Sequence, residues 1–253
     1  MVRVLRAGPT NGASQTAQYL VIKGIRQMTR CEKASDQGST ITWKDGIVPI
    51  SVRFDDPYFS MHDGLAETRH VFLAGNKLPA RLTPGFHIAE LGFGTGLNLL
   101  ATLMACPPAA AISYTSFEAY PLTAAEMSRA LTAFPAALAI AEPLITAWAR
   151  GLTCFDLGPV RVQVMLGDAR DTLPNWNGQA DAWYLDGFSP AKNPELWSPD
   201  LMSAVARHTA PGGTFATYTA AGHVRRALDQ AGFDVIRSPG HGHKRHMTTG
   251  RLR

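Results

Sequence analysis

Three glycines at every second position are the strongest chemical signal in this sequence. Gly92, Gly94 and Gly96 follow Glu90 at the end of a short apolar run, and they precede a stretch with helical apolar spacing. A strand, a glycine turn and a helix in this order let the backbone approach a nucleotide-like ligand closely, because glycine has no Cβ and tolerates positive φ. The dinucleotide fingerprint G-x-G-x-x-G places its third glycine one residue later, inside the helix. The loop therefore predicts a nucleotide-like ligand without a pyrophosphate, and a tight turn with no ligand is the alternative.

Carboxylates follow four consecutive predicted strands. Glu90 and Glu118 end the first two strands of the main domain, and Asp168 and Asp186 follow the next two. Ligands of open α/β sheets bind beyond the carboxyl ends of the strands, so we expect these four groups to lie together. Burying several carboxylates together is costly unless cations or hydrogen-bond donors compensate. Each acid has a structural alternative, and for Asp168 it is a cap on the following helix.

One ligand accounts for the glycine loop and for these acids. The dense glycine spacing after an acidic residue resembles the loop of class I S-adenosyl-L-methionine (SAM) methyltransferases. In that arrangement Glu90 faces the cationic amino-acid end of SAM, and Glu118 accepts hydrogen bonds from both ribose hydroxyls. Asp168 accepts one from the adenine amino group, while the Ala169 amide donates to the ring. Asn98, inside the loop motif, completes the predicted cofactor site.

The segment Asp186–Pro190, with the sequence Asp-Gly-Phe-Ser-Pro, is the candidate reaction centre. Amino-directed methyltransferases carry an acidic or amide residue at this place, followed by a proline-aromatic turn. An amine attacks the sulfonium methyl only through a neutral lone pair held in line with it. Asp186 is expected to orient the amine and take its proton, and Phe188 to shape the pocket beside the sulfonium. The alternative is an Asp-Gly turn with a buried phenylalanine.

Strands and helices alternate from Phe86 onward, which predicts a doubly wound α/β domain. We expect a Rossmann-like, mostly parallel sheet of seven strands, with the last strand antiparallel because a five-residue link is too short for a crossover helix. An insertion at 136–158 is expected to hold a helix and a loop. The predicted strands are 86–91, 112–118, 160–166, 182–185, 213–219, 233–236 and 243–249, and the predicted helices are 97–104, 123–134, 169–173, 194–210 and 222–231.

The region before this alternation divides into two parts. Residues 40–84 are expected to form a hairpin and a helix, because apolar and polar residues alternate around Asp45-Gly46. Residues 1–39 are expected to be a poorly ordered tail, and Met28 is an alternative start, because the apolar core of this basic segment is too short for a signal peptide. Residues 85–253 then form the predicted SAM-binding methyltransferase domain.

The composition is that of an ordinary globular protein. Of 253 residues, 45% are hydrophobic and 17% charged, and the net charge of +4 is compatible with a nucleic-acid substrate. The three cysteines match no metal-ligand spacing, which indicates a reducing compartment and no disulfide framework. No apolar run reaches the roughly 18 residues of a membrane-spanning helix. We therefore expect a cytoplasmic protein with no metal site and no membrane association.

Several segments together resemble one family of tRNA-modifying enzymes, the methyltransferase domain of MnmC and its standalone form MnmD. The Asp186–Pro194 motif is far more specific than the glycine loop. The resemblance extends over roughly residues 40–250, and its matching segments are 54–60, 64–73, 90–98, 116–123, 181–194, 210–219 and 242–247.

This resemblance implies methyl transfer from SAM to the amino nitrogen of a 5-aminomethyl group on the wobble (2-thio)uridine of tRNA. Tyr58 and Ser60 are expected in a lid over the SAM pocket, or else in an anchor of the hairpin. Lys192, Lys244 and Arg245 are expected to face the tRNA, with a solvated basic face as the alternative. The wobble base is expected to leave its stack to reach the pocket.

The resemblance also bears on oxidase activity and on the alternative functions of this chain. The family's fused FAD-dependent oxidase needs a second dinucleotide loop, so we expect no oxidase activity and a separate enzyme system that makes the aminomethyl group. A SAM-dependent methyltransferase for another amine is the first alternative. A nicotinamide-dependent oxidoreductase and an RNA-binding module with an inactive pocket are the others.

Overall fold

The computed structural model describes residues 40–60 and 63–253, and it begins with a short three-stranded sheet. Strand β1, Ile41–Lys44, pairs antiparallel with β2, Val48–Ser51, and β3, Asp56–Pro57, pairs with β2. The turn between β1 and β2 holds Asp45 and Gly46 at φ angles of 51° and 73°, as an Asp-Gly hairpin turn requires. The predicted hairpin is therefore confirmed, whereas the predicted tail 1–39 lies outside the described residues.

A helical segment follows this small sheet and leads to the main sheet. Helix α1, Gly64–Thr68, begins where the Asp63 side chain accepts a hydrogen bond from the Ala66 amide. It continues as a π-helical turn, Arg69–Leu73, and a 3-10 turn, Ala74–Asn76. The helix predicted within residues 40–84 is therefore found, but its hydrogen-bond pattern changes twice along it.

The main sheet has eight strands, in the order β10-β11-β9-β8-β4-β5-β7-β6. The five central strands, β9, β8, β4, β5 and β7, run parallel to one another. At the edges, β11 pairs antiparallel with β9, β10 with β11, and β6 with β7. The chain moves from β4 outward through β5 to β7, and later returns to β8 on the other side of β4. Ligand sites of doubly wound sheets lie at such a reversal. The strands are β4 His87–Leu91, β5 Ile112–Glu118, β6 Cys154–Leu157, β7 Val160–Leu166, β8 Ala180–Leu185, β9 Thr209–Thr217, β10 Phe233–Pro239 and β11 His246–Leu252.

Helices cover both faces of this sheet, so the central strands are apolar on both sides. In β8, Trp183 and Tyr184 are both fully buried but belong to separate clusters on the two faces. The helices are α2 Leu97–Ala105, α3 Ala124–Leu131, α4 Pro135–Leu138, α5 Glu142–Ala149, α6 Ala169–Thr172, α7 Pro199–Arg207 and α8 Gly222–Gln230, with 3-10 turns at Leu173–Asn175 and Pro194–Trp197.

The structure confirms the mostly parallel α/β fold and the antiparallel final hairpin, and it corrects two details. The insertion 136–158 contributes an eighth strand, β6, which pairs with β7 across a turn at Gly158 with φ 55°. The predicted helix 194–210 is interrupted at Ser198, whose side chain caps α7 at the Leu201 amide, and β9 already begins at Thr209. No helix in the described ranges is long and apolar enough to cross a membrane.

Candidate functional site

The glycine loop turns the chain from β4 into α2. Gly92, Gly94 and Gly96 have φ angles of 83°, 52° and 76°, which side chains of L-residues rarely allow. A Cβ on Gly92 would lie 3.2 Å from the Cα of Gly187, so the loop packs backbone to backbone against the loop after β8. A Cβ on Gly94 would lie 3.3 Å from the Tyr58 ring. The glycines are therefore required for the close approach of three segments.

A cavity of about 690 Å³ opens at the carboxyl ends of β4, β5, β7 and β8. Most of the predicted site residues lie on its wall. Glu90, which is fully buried, Gly96 and Arg245 are not among the residues that line it. The predicted residues on the wall are Tyr58, Ser60, Gly92, Gly94, Asn98, Glu118, Asp168, Ala169, Asp186, Phe188, Lys192 and Lys244.

Glu118 is the carboxylate at the end of β5. Its two oxygens accept hydrogen bonds from the Gly94 amide at 2.8 Å and from the Tyr120 amide at 2.7 Å. Burial raises the pKa of Glu118, and the main-chain donors oppose that rise because they stabilise the charged form. Glu118 thereby fixes the glycine loop and presents a buried acceptor to the cavity.

Asp168 has the capping role that the sequence left open as an alternative. It caps α6 by accepting from the Arg170 amide at 2.8 Å, and its carboxylate also pairs with the Arg170 guanidinium at 2.6 Å. The hydrogen bond from Arg170 lowers the pKa of Asp168. The carboxylate still lies on the cavity wall beside Ala169, so its contact with adenine stays a prediction.

Asn98 joins two carboxylates at the end of the glycine loop. Its Nδ2 lies 2.8 Å from Glu90 Oε1 and 2.8 Å from Asp186 Oδ2. Glu90, which is fully buried, also accepts from Ser116 Oγ at 2.7 Å. The structure therefore places Glu90 beneath the cavity wall, where it supports Asn98, and its predicted contact with SAM remains untested.

Asp186 follows β8 and reaches the cavity at the centre of this group. Burial raises the pKa of Asp186 to about 6, against the hydrogen bonds that it accepts from Asn98 and from the Gly187 amide. A carboxyl group with this pKa is mostly ionised near neutral pH, and it is more basic than an ordinary aspartate. It can therefore accept a proton from a bound amine.

Aromatic rings surround the other side of the Asp186 loop. Phe188 stacks on Phe54 with 4.7 Å between ring centroids, and it meets the Tyr58 ring edge-on at 5.1 Å. The main chain of the same loop is held by Tyr218 and Trp197, which donate to the Gly187 and Phe188 carbonyls. Aromatic faces of this kind favour a cationic group such as a sulfonium.

The loop that carries Tyr58 and Ser60 is tied to the segment after Phe188. Asp56 accepts from the Ser189 amide at 2.8 Å, and Lys192 Nζ donates to the carboxylate of Asp55 at 2.7 Å. The loop thus closes one side of the cavity, as the lid hypothesis requires, and it also carries β3 of the small sheet.

Lys244 reaches the cavity from the loop between β10 and β11. Its Nζ lies 2.6 Å from Glu67 Oε1 and 4.4 Å from the centroid of the Tyr218 ring. Arg245 is exposed, and its guanidinium forms no ion pair within the part of the chain that the structure describes. The two predicted tRNA residues therefore have different surroundings.

Sequence reasoning did not single out Glu67, Thr68 and Tyr218, which complete this end of the cavity. These residues lie in segments 64–73 and 210–219, which carry the family resemblance, but the spacing of neither segment indicates a site. The segments meet only in the folded chain.

The wall suits SAM on chemical grounds. The cavity combines a glycine cradle with a buried carboxylate acceptor at Glu118, which suits the ribose hydroxyls of SAM. The Phe188 and Tyr58 rings supply an apolar, electron-rich lining.

Comparison with known proteins gives the same result. Residues 135–253 match a family described as S-adenosyl-L-methionine-dependent methyltransferase. The chain is 43% identical over 228 residues to the tRNA 5-methylaminomethyl-2-thiouridine biosynthesis bifunctional protein MnmC of Pseudomonas paraeruginosa. This alignment covers 85% of this chain and 35% of that protein. The protein of that name from Pseudoalteromonas atlantica is 48% identical over 223 residues, covering 80% of this chain and 32% of that protein.

A solved structure extends the likeness to the fold. The crystal structure of MNMC2 from Aquifex aeolicus superposes with a TM-score of 0.70 at 27% identity, covering 87% of this chain and 72% of that one. The chain spans about a third of the length of the curated relatives. Residues 135–253 are thus similar to a family of S-adenosyl-L-methionine-dependent methyltransferases, and the likeness to the MnmC proteins extends over most of the chain.

Proposed function

We propose that this protein transfers a methyl group from SAM to the amino nitrogen of 5-aminomethyl-(2-thio)uridine at the wobble position of tRNA. The product is 5-methylaminomethyl-(2-thio)uridine. The names of the relatives support the substrate. The proposal rests on Asp186, whose carboxylate lies on the wall of a cavity lined by the glycine loop and whose pKa is raised by burial.

The cofactor side of the cavity is formed by the ends of β4, β5 and β7. SAM supplies an electrophilic methyl group on a sulfonium. The backbone of Gly92 and Gly94 allows it to approach closely, Glu118 accepts from its ribose, and Asp168 with Ala169 contacts its adenine. Tyr58 and Ser60 close the site from the lid loop.

The substrate side is formed by the loop after β8. An aminomethyl group in water is an ammonium, which has no lone pair for attack. Asp186 accepts that proton at a carboxylate oxygen, orients the neutral amine toward the methyl group and retains the proton during transfer. Phe188 limits the space beside the reacting nitrogen, so the amine enters along one direction.

Recognition of tRNA is assigned to two basic residues on the cavity wall and to Arg245, which follows Lys244 in the sequence. Lys192, Lys244 and Arg245 neutralise phosphates, and the uridine leaves its stack to reach Asp186. A tRNA substrate places the reaction in the cytoplasm. The primary amine must come from another reaction, since methyl transfer does not create it.

Another amine is the competing substrate class, since the carboxylate of Asp186 does not itself require RNA. A nicotinamide-dependent oxidoreductase is set aside, because the family match is to SAM-dependent methyltransferases. The methylation assay described next also distinguishes the enzyme from an RNA-binding protein with an inactive pocket.

Incubation of the protein with SAM and tRNA carrying 5-aminomethyluridine, followed by nucleoside mass spectrometry, tests the proposal. A gain of one methyl group on that nucleoside supports it. Free 5-aminomethyluridine and small primary amines serve as competing substrates. Methylation of these in preference to tRNA rejects the tRNA assignment, and no methylation of any amine rejects the enzyme.

A further inference from the structure

A buried hydrogen-bonded chain leads from α1 to Asp186. Thr68, at the end of α1, donates from Oγ1 to Asn98 Oδ1 at 2.9 Å. Asn98, in the first turn of α2, donates from Nδ2 to Asp186 Oδ2 and to Glu90 Oε1, both at 2.8 Å. Thr68 and Asn98 are 5% and 6% exposed, so water does not readily replace these bonds.

The chemistry of the three groups fixes the orientation of the Asn98 amide. Its Nδ2 has two hydrogens, and each is used by one carboxylate oxygen. Its Oδ1 only accepts, so the Thr68 hydroxyl must donate to it. If the amide flipped, Oδ1 would face the Asp186 carboxylate, and that contact would become repulsive. Thr68 therefore stabilises the one orientation in which Asn98 donates to Asp186.

The second carboxyl of the chain favours its neutral form. Burial raises the pKa of Glu90 well above its ordinary value, and the nearby charge of Asp186 raises it further. Asn98 thus connects a carboxyl group of raised pKa beneath the wall with the Asp186 carboxylate on the wall.

From these contacts we infer that Thr68 and Asn98 are positioning residues: through the Asn98 amide they orient the Asp186 carboxylate and stabilise its ionised form for the incoming amine. This inference rests on the proposed function, which assigns Asp186 to the amine. Neither residue touches the amine in this assignment, because the Asn98 amide hydrogens are committed to Glu90 and Asp186.

Other charged and titratable groups face Asp186 from each neighbouring element. Lys244, from the loop after β10, favours the ionised form, and Glu67 of α1 opposes it. Glu90 lies behind Asp186 on β4, and Tyr218 lies beside it after β9. Changes at Thr68 leave all four groups in place, so a change in Asp186 titration reports the hydrogen-bonded chain.

The test uses Thr68→Val, which keeps the shape of the side chain but removes the donor, with Thr68→Ser as the matched control that keeps it. Carboxyl 13C NMR of the protein without SAM follows the titration of Asp186, identified by the resonance that Asp186→Asn lacks. We expect Thr68→Val to move this titration to higher pH and Thr68→Ser to leave it in place. Asn98→Ala removes the direct bond, and a shift of about one pH unit or more is expected, because hydrogen bonds to charged groups are stronger than those between neutral groups.

Activity gives the second readout. In Thr68→Val the acid limb of the kcat/KM profile should move to higher pH, as the Asp186 titration does. The value of kcat should fall, while the KM for SAM stays unchanged. A merely structural role would lower the melting temperature and leave the pH profile unmoved. Wild-type titration in both Thr68→Val and Asn98→Ala would overturn the inference.

The two proposals fail in different ways. If the wild-type protein methylates no tRNA while Thr68→Val still shifts the Asp186 titration, the proposed function is wrong and the positioning chain is retained. If tRNA is methylated and the titration does not shift, the function is retained and the positioning chain is wrong.

Discussion

Lys244 Nζ lies 2.6 Å from Glu67 Oε1, which joins the loop after β10 to helix α1 at the edge of the cavity. The same ammonium lies 4.4 Å from the centroid of the Tyr218 ring, and its charge lowers the pKa of Asp186. The pair therefore connects two segments 177 residues apart and places a cation beside the proposed general base.

Replacing Lys244 should change how Asp186 titrates. In Lys244→Met the acid limb of kcat/KM should move to higher pH, because the cation that favours the Asp186 carboxylate is lost and Glu67 remains. The matched control is Lys192→Met, because Lys192, on the cavity wall, also pairs with an aspartate but is not among the groups that shift the pKa of Asp186 most. Equal pH profiles for the two variants would contradict this role of Lys244.

Removing the proton acceptor should abolish most of the activity. Asp186→Asn keeps the shape and an acceptor oxygen but takes no proton, so kcat should fall about 100-fold or more, as general-base losses do. SAM affinity, measured by calorimetry, should be retained because the glycine loop and Glu118 are intact. Near-wild-type turnover in this variant would remove Asp186 from the mechanism.

The same substitution should change how the stability of the folded protein depends on pH. The pKa of Asp186 is about 6 in the folded chain and 3.8 as an ordinary value, so the contribution of its protonation to stability is fully present below pH 4 and is lost as the pH rises through 6. Asparagine does not ionise, so the unfolding free energy of Asp186→Asn relative to wild type should rise by up to about 3 kcal/mol between about pH 4 and pH 8. Urea unfolding at about pH 4.5 and pH 8 measures this. A gain that is equal at both values would contradict the linkage.

The glycine cradle makes a prediction about SAM affinity. Gly94→Ala adds a Cβ 3.3 Å from the Tyr58 ring at a position on the cavity wall, whereas Gly158→Ala, with a similar φ of 55°, has only Leu103 at 4.0 Å. Both variants should lose about 1 kcal/mol of unfolding free energy to left-handed strain. Only Gly94→Ala should weaken SAM binding, and comparable SAM affinities would argue against the cradle.

The exposed Arg245 should contribute to tRNA binding. Arg245 has no ion-pair partner in the described ranges, so Arg245→Ala should weaken tRNA binding and reduce the slope of log K against log salt by about 0.7–0.9 per lost phosphate contact. Binding titrations at several salt concentrations measure the slope, with Arg207→Ala, on the exposed end of α7, as control. An unchanged slope would place Arg245 outside the tRNA interface.

The sequence predicted those parts of the site that depend on local signals. The glycine loop and the acids Glu118 and Asp186 were predicted because parallel strands bring their carboxyl ends to one edge of the sheet. Asp168 instead makes the hydrogen bonds of a helix cap, which was its structural alternative. Arg170, two residues later, supplies both the amide and the guanidinium that bind its carboxylate.

The contacts between distant segments could not be predicted in this way. The bonds from Thr68 to Asn98 and from Asn98 to Asp186 span 30 and 88 residues, and no spacing rule relates such positions. Strand β6 was missed because Cys154–Leu157 is short and is defined by its pairing with β7 rather than by its own pattern. Likewise, Glu90 was expected on the wall because it precedes the glycine loop, but its side chain points beneath the wall to Ser116.

Methyl transfer to the tRNA amine is tested most directly by nucleoside mass spectrometry of 5-aminomethyl tRNA incubated with the wild-type protein and SAM carrying a trideuteriomethyl group, with Asp186→Asn in parallel. We expect one trideuteriomethyl group on the 5-aminomethyl nucleoside with the wild-type protein and almost none with Asp186→Asn. Label on another nucleoside, or no label with a protein that binds SAM, would contradict it.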